Sequence, residues 1–385
     1  MPPAQACVQR LDDLSVRTLA FFSPYLVPFT ITAGYATGEL RLFKVVAWLW
    51  LAVAALDLIV GADTRRPPGE QARALNRSLL WRFAIRLWVP AQAAILACGL
   101  FITTWESLTL QEMVFVTVSV GLASGMFSIP VAHELMHGTG RLDKALAEIL
   151  MTSVTYTHFC IEHVHGHHRN VGTMKDPATA RFGESFYVFY PRAVFGGLLS
   201  AWNHEAVRLG RLGGRGRAWS PRNRMVRYAA NLIALYGAIG FGFGALGVAF
   251  FAVQSLIAFS LIEVINYVEH YGLSRRQAAP GHYEQVMPWH SWNSSHLVSN
   301  WFLFNLGRHS DHHYQPSRSY QHLRHFNDAP QLPSGYFGMF LLPLIPSLWR
   351  RVMDPRVRAW REEHGIPPDT VSTKWRRQSP FPWRR

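Results

Sequence analysis

The sequence predicts an all-α membrane protein in which six transmembrane helices carry a histidine-rich, metal-binding cap on their cytoplasmic side. Three observations lead there. Long stretches of the 385-residue chain hold no charge, and the 16% of residues that are charged crowd into the segments between them. Arginines gather in one set of those segments and acids in another. Half of the 18 histidines fall into four short clusters beside the ends of the uncharged stretches.

Each span follows from one length criterion, about 20 apolar residues for a helix crossing a bilayer. Thr18 to Gly38 supplies 21 uncharged residues, interrupted by Pro24 and Pro28. Val45 to Ala62 supplies 18 residues with one charge, Asp57; Leu87 to Trp105 supplies 19, and Met113 to Ala132 supplies 20. Tyr228 to Ile262 is uncharged over 35 residues, too many for one crossing, and the five glycines from Gly237 to Gly247 predict a tight hairpin of two short spans. Tyr336 to Trp349 is apolar but only 14 residues long and broken by Pro343 and Pro346, and reads as an interfacial or re-entrant segment rather than a seventh span. The chain thus divides into residues 1–132 with helices one to four, a cytoplasmic region 133–227, the hairpin 228–262, and a second cytoplasmic region 263–385. The last of these ends in a basic tail, Lys374 to Arg385, whose Trp375 and Trp383 suit a membrane surface.

A net charge of +14 is compatible with nucleic acid, anionic lipid or an acidic protein partner. No helix-turn-helix, zinc-finger or RNP-type pattern accompanies it, which sets nucleic acid aside. Between the second and third spans lie Arg65, Arg66, Arg73, Arg77, Arg82 and Arg86 against Asp63 and Glu70. Between the third and fourth lie only Glu106 and Glu112. The positive-inside rule makes the first loop cytoplasmic and, with six spans, places both termini and both polar regions in that compartment. Met1 to Arg17 lacks the apolar core of a signal peptide, so insertion is expected to begin at the first internal span. Cys7, Cys98 and Cys160 are too far apart for a CxxC motif and read as reduced thiols. Asp57 is expected to reach the interface and pair with Arg65 or Arg66. Trp48 and Trp50, on the same span, are candidates to line a substrate channel or to face lipid.

The histidines carry the chemistry. HELMH places His133 and His137 four residues apart, on one face of a helix. EHVHGHH supplies His163, His167 and His168; NYVEHYG supplies His270; RHSDHH supplies His309, His312 and His313. HELMH has the HExxH spacing of zinc proteases, but a mononuclear zinc site needs three protein ligands and leaves the other clusters unexplained. Nine imidazoles suit two metal ions. Neutral imidazoles leave the charge of such a pair uncompensated, so acids inside the motifs are expected to orient the rings and balance it: Glu134, Glu162, Glu269, Asp311 and, a little further on, Asp176. Each acid could instead pair with an arginine such as Arg169 or Arg308. His158, His165, His290 and His296 fall outside the pattern.

HELMH, EHVHGHHRNVGTMKDPATAR, NYVEHYGL and NLGRHSDHHYQPSRSYQHLRHFNDAPQLPSGY resemble the integral-membrane alkane monooxygenases, as do WHSWNSSHLVSN and VMDPRV. The resemblance runs from about Gly61 to Val357. The chain departs from the usual family pattern at Met136 and Gly138 in the first motif, at Met174 and Lys175, and at Gly307 before the last motif; none of these is a proposed ligand. The resemblance implies that the nine histidines bind two non-haem iron ions, a di-iron cap. It also implies hydroxylation of the terminal methyl group of n-alkanes with molecular oxygen, in a bacterial inner membrane.

The chain has no flavin or nucleotide fingerprint and no cysteine cluster for an iron–sulfur centre, so electrons must come from another protein. The family's usual donor is rubredoxin, a small acidic iron protein served by an NAD(P)H-dependent reductase. Seven arginines (Arg208, Arg211, Arg215, Arg217, Arg222, Arg224 and Arg227) form a candidate docking surface, with anionic lipid as the competing ligand. The nearest rival activities are fatty-acyl desaturation or hydroxylation and hydroxylation of methyl groups on aromatic rings. A histidine-rich metal transporter is the rival of a different class, although transporters usually place ligands within the membrane.

Overall fold

A computed structural model describes residues 18–65, 79–213, 218–279 and 281–366. Arg66, Arg73 and Arg77 of the basic loop lie outside the described residues, as do Glu70, Arg215, Arg217, Cys7 and the tail with Trp375 and Trp383. The principal helices, numbered in chain order, are α1 (Thr18–Thr37), α2 (Val45–Val60), α3 (Leu80–Trp105), α4 (Leu110–His137), α5 (Arg141–Thr152), α6 (Phe186–Arg211), α7 (Arg224–His270) and α8 (Pro346–Glu363). Four of them, α1, α3, α4 and α7, are long and apolar enough to cross a membrane, and α2 is a shorter apolar helix of 16 residues.

Two helices outrun the apolar stretches that predict them. At the start of α4, Thr109 Oγ1 accepts the Glu112 N–H and the Glu112 carboxylate accepts the Thr109 N–H in return. From there α4 runs past Ala132 into the HELMH motif. The start of α7 is capped by Asn223, whose Oδ1 accepts the Met225 N–H at 2.8 Å, and its end is His270. Backbone hydrogen bonding does not stop where apolar side chains stop, so span and histidine motif form one rod.

The predicted hairpin lies inside α7. Gly244 takes φ 65° and ψ −167°, which a side chain would make costly. The chain reverses there: the Tyr236 and Phe251 rings are 5.2 Å apart, whereas a continuous helix would separate them by about 22 Å. One arm packs closely on α4, where Gly121 and Gly125 face Ile257, Ala258 and Leu261. A Cβ on Gly125 would lie 2.8 Å from the Ala258 carbonyl oxygen, so only glycine permits this approach.

Between Ser124 and Ser128, α4 widens into a π turn. Polar side chains hold it: Trp88 Nε1–H donates to Ser128 Oγ at 2.7 Å, Ser128 Oγ donates to Gln92 Oε1, and Gln92 Nε2 donates to Ser124 Oγ. The extra residue of an i→i+5 turn rotates everything after it, including His133 and His137.

On α2, Trp50 is buried, donates from its indole N–H to the Phe337 carbonyl at 2.8 Å and packs on Phe340. It therefore anchors the Tyr336–Met339 helix, the start of the predicted interfacial segment, while Trp48 is exposed. The pairing expected of Asp57 is corrected. Asp57 is fully buried, accepts the Ser299 N–H at 3.0 Å and takes a second bond from the Ser299 hydroxyl. The donors come from the first turn of the Leu297–Phe302 helix, and Arg65 pairs with Asp63 at 2.8 Å instead.

Candidate metal centre

The nine histidines of the four motifs converge into two groups. His133, His137, His163, His168 and His312 form one; His167, His270, His309 and His313 form the other. Within each group, one ring nitrogen per residue lies within 4.8 Å of all the others.

Local backbone geometry does the sorting. His133 and His137 are four apart on α4 and share the first group; His309 and His313 are four apart on the His309–Tyr314 helix and share the second. The second motif, Glu162–His167, is itself a π turn. An i→i+5 turn aligns residues five apart, so His163 and His168 enter one group while His167 turns to the other. The adjacent pairs His167–His168 and His312–His313 each give one imidazole to each group, because neighbouring side chains on a helix diverge by roughly 100°.

The nitrogens meet as donors around an ion would. His168 Nε2 lies 3.0 Å from His163 Nε2 and 3.0 Å from His312 Nε2. His309 Nε2 lies 3.3 Å from His270 Nε2. Donors about 2.1 Å from a common metal, at right angles, would be about 3.0 Å apart. One nitrogen carries at most one proton, so hydrogen bonding cannot satisfy these contacts together. His133 Nε2, His137 Nε2, His167 Nε2 and both nitrogens of His313 have no hydrogen-bond partner among the described residues. Burial, reinforced by the neighbouring rings, holds His163, His168, His309, His312 and His313 well below the usual imidazole pKa. Neutral rings with inward lone pairs are what metal binding requires. The donor set fits two divalent metal ions.

The five acids divide. Asp176 Oδ2 accepts His167 Nδ1–H at 2.9 Å and the Thr179 hydroxyl at 2.5 Å, leaving His167 Nε2 to face inward. Burial alone would raise the Asp176 pKa, but His167 and Thr179 hold it below the usual range. Glu269 takes the Tyr336 hydroxyl at 2.7 Å and lies 3.1 Å from His309 Nε2. Glu162 is buried with Oε1 unpartnered among the described residues, its pKa driven up by burial and by the Asp176 and Glu263 carboxylates. Two acids turn away from the rings. Glu134 accepts the Tyr320 N–H at 3.2 Å, and Asp311 is clamped by Arg318 and Arg324, both at 3.0 Å.

Sequence reasoning missed Tyr336 as the partner of Glu269, and it missed the pair in which Tyr156 donates to Glu263 at 2.7 Å. No spacing signal links residues 67 and 107 positions apart. Among the histidines outside the pattern, His290 is held by the Met287 N–H and Glu284, and His296 by Ser294. His158 packs its ring on Tyr156, and His165 is exposed.

Two clefts, of about 360 and 300 Å³, reach the five-histidine group at His137. Arg82, Arg86, Asp143 and Arg318 line the first; Lys144 and Glu148 line the second. In the proposed docking stretch, Arg208 and Arg224 are engaged internally by the buried Glu205 at 2.8 and 2.7 Å. Arg211, Arg222 and Arg227 are exposed.

Apolar helices long enough to span a bilayer, ending in a buried pair of histidine clusters, define a membrane metalloprotein. The profile of the fatty acid desaturase family matches residues 109–343. The alkane 1-monooxygenase of Acinetobacter baylyi is 38% identical over 89% of this chain and 85% of its own length. Alkane 1-monooxygenase 1 of Pseudomonas aeruginosa is 43% identical over 79% of this chain and 80% of its own. The hydroxylase component of the xylene/toluene monooxygenase of Pseudomonas putida is 29% identical over 89% and 90%. The chain belongs to the fatty acid desaturase family and, within it, to the alkane 1-monooxygenases, and is a membrane-bound monooxygenase.

Proposed function

We propose that this chain hydroxylates the terminal methyl of n-alkanes to 1-alkanols, using molecular oxygen and electrons from reduced rubredoxin. The observation that carries the reading is the convergence of nine histidines from four distant motifs into two donor groups of five and four. His133, His137, His163, His168 and His312 would hold one iron, and His167, His270, His309 and His313 the other. Such a pair supplies the oxygen-dependent redox chemistry that an unactivated C–H bond demands and that no side chain can provide. The protein's own residues hold the rings: Asp176 fixes the tautomer of His167, and the π turn from Glu162 to His167 divides one motif between two ions.

In this reading the two arms of α7, together with α1 to α4, cross the bacterial inner membrane six times. Both termini and both histidine-bearing regions are then cytoplasmic. Substrate enters from the bilayer. Rubredoxin, reduced by its NAD(P)H-dependent reductase, docks electrostatically on basic surface that includes Arg211, Arg222 and Arg227.

The test is turnover by the purified, iron-loaded protein with octane, rubredoxin and reductase. The expected result is 1-octanol formed with matching oxygen uptake, and rates at limiting rubredoxin that fall as salt rises. Bound zinc with no oxygen consumption would sink the reading. The resemblance to the xylene/toluene hydroxylase gives the competing substrate. Faster turnover of m-xylene than of octane would move the assignment to aromatic methyl groups.

A further inference from the structure

From Phe186 to Trp202, helix α6 turns its one charge inward and its large apolar side chains outward. Tyr187, Val188, Pro191, Phe195, Leu198 and Leu199 are exposed and share one face, an apolar stripe about 18 Å long. The charge within that run, Arg192, is drawn to Glu184 at 2.7 Å and to the Pro177 carbonyl at 2.7 Å. On the buried side stand Ala193, Gly196, Gly197 and Ala201, small residues that let α6 approach the supports of the metal centre. A Cβ on Gly196 would lie 2.7 Å from the ring of Pro177, the neighbour of Asp176. One on Gly197 would lie 3.7 Å from Glu162 of the π turn. Helix α6 is thus the wall behind the second histidine motif, and the far side of that wall is apolar.

We infer that α6, although it belongs to the polar region between two spans, lies in the membrane interface with this stripe among lipid acyl chains. Continuity with the spanning surface identifies the occupant. On one flank α6 packs against the second arm of α7, with the Phe189 and Tyr267 rings 5.3 Å apart and the Tyr190 hydroxyl 2.7 Å from Ser260 Oγ. Leu256 and Val253, one and two turns from Ser260 along that arm, are exposed. On the other flank the Tyr187 hydroxyl donates to the Leu344 carbonyl at 2.8 Å. Leu344 belongs to the proline-broken apolar segment, where Leu341, Ile345 and Leu348 are exposed as well. The stripe therefore joins the apolar flank of a spanning helix to a second apolar surface. Single exposed leucines are ordinary in a water-soluble fold, but a continuous patch of this kind is not. A water-soluble partner would meet no charge on the stripe to set its register, whereas acyl chains require none. Beyond the stripe the Trp202 and Trp219 rings meet at 4.9 Å, and Trp219 is exposed, as tryptophans at a membrane interface are. The bilayer surface then lies one helix away from the π turn that divides the second motif.

The experiment attaches a nitroxide label at Phe195→Cys or at Leu199→Cys, each in a chain that also carries Cys7→Ser. Cys98 and Cys160 are buried and stay unlabelled. The protein is reconstituted in bilayer nanodiscs of phosphatidylethanolamine and phosphatidylglycerol. Power-saturation EPR then compares collisions of the label with oxygen, which concentrates among acyl chains, and with a water-soluble nickel chelate. At both positions oxygen accessibility should exceed chelate accessibility severalfold, corresponding to a depth of about 5 to 10 Å below the headgroups. Asp328→Cys, on an exposed polar loop, should show the reverse. Chelate accessibility at Phe195→Cys and Leu199→Cys equal to that at Asp328→Cys overturns the proposal. Shielding from both reagents also overturns it, and spin–spin broadening would then assign the face to a second copy of the chain. Either labelled position decides if the other variant fails to fold. The readout needs neither bound metal nor turnover, so its failure leaves the proposed activity standing.

Discussion

The five-histidine and four-histidine groups are built from overlapping motifs yet have different surroundings. The first draws on the end of α4, the π turn and His312; its His137 is half-buried and borders two surface clefts lined by charged side chains. The second draws on the same π turn, the end of α7 and His309 with His313; all four rings are buried, and Asp176 and Glu269 lie against them. The contrast teaches that the two groups differ both in their distance from the surface and in the acids that surround them. One is reachable from the polar side, and the other is enclosed and backed by acids.

Neighbouring substitutions probe that contrast most strongly. His312→Ala and His313→Ala alter adjacent residues, yet each should remove a different iron, seen as loss of different Mössbauer signals. Both should lower octane turnover at least about a hundredfold, since each takes a ligand from one half of a two-metal centre. Loss of the same iron in both variants would break the division into two groups. A smaller effect is expected behind the rings. Asp176→Asn removes the acceptor that fixes the His167 tautomer and should weaken iron at the four-histidine site by roughly 10- to 100-fold in chelator competition, leaving the other iron unchanged. Smaller still, Thr179→Val deletes one hydrogen bond to Asp176. It should cost about 1 kcal/mol of affinity, a few-fold shift at the same site only. Equal weakening of both irons by Asp176→Asn would show that the acids serve the pair as a whole.

Much of this centre was legible in the sequence, for a physical reason. Helical spacing puts residues four apart on one face, so the pairs His133 and His137 of HELMH and His309 and His313 of RHSDHH are seen to fall together before any fold is known. The glycines from Gly237 to Gly247 announce the reversal at Gly244 in the same way. The acids were not sorted, because a carboxylate two residues from a ligand looks no different from one that touches it. Asp311 lies between His309 and His312 but is drawn to Arg318 and Arg324, whereas Asp176, nine residues beyond His167, meets its ring. The arginine stretch shows the same limit: its charge is visible in sequence, but the pairing of Arg208 and Arg224 with the buried Glu205 is not.

By itself the sequence determined the helical class, the apolar rods, the nine histidines and their suitability for two metals, since each depends on periodicity or composition within a short window. The tertiary structure decided which histidine joins which group, that α4 and α7 carry their motifs as rigid extensions, and that Tyr336 meets Glu269 across 67 residues. Those facts depend on helix rotation, which one π-turn residue changes by roughly 100°, and on contacts between distant segments. No local pattern encodes either.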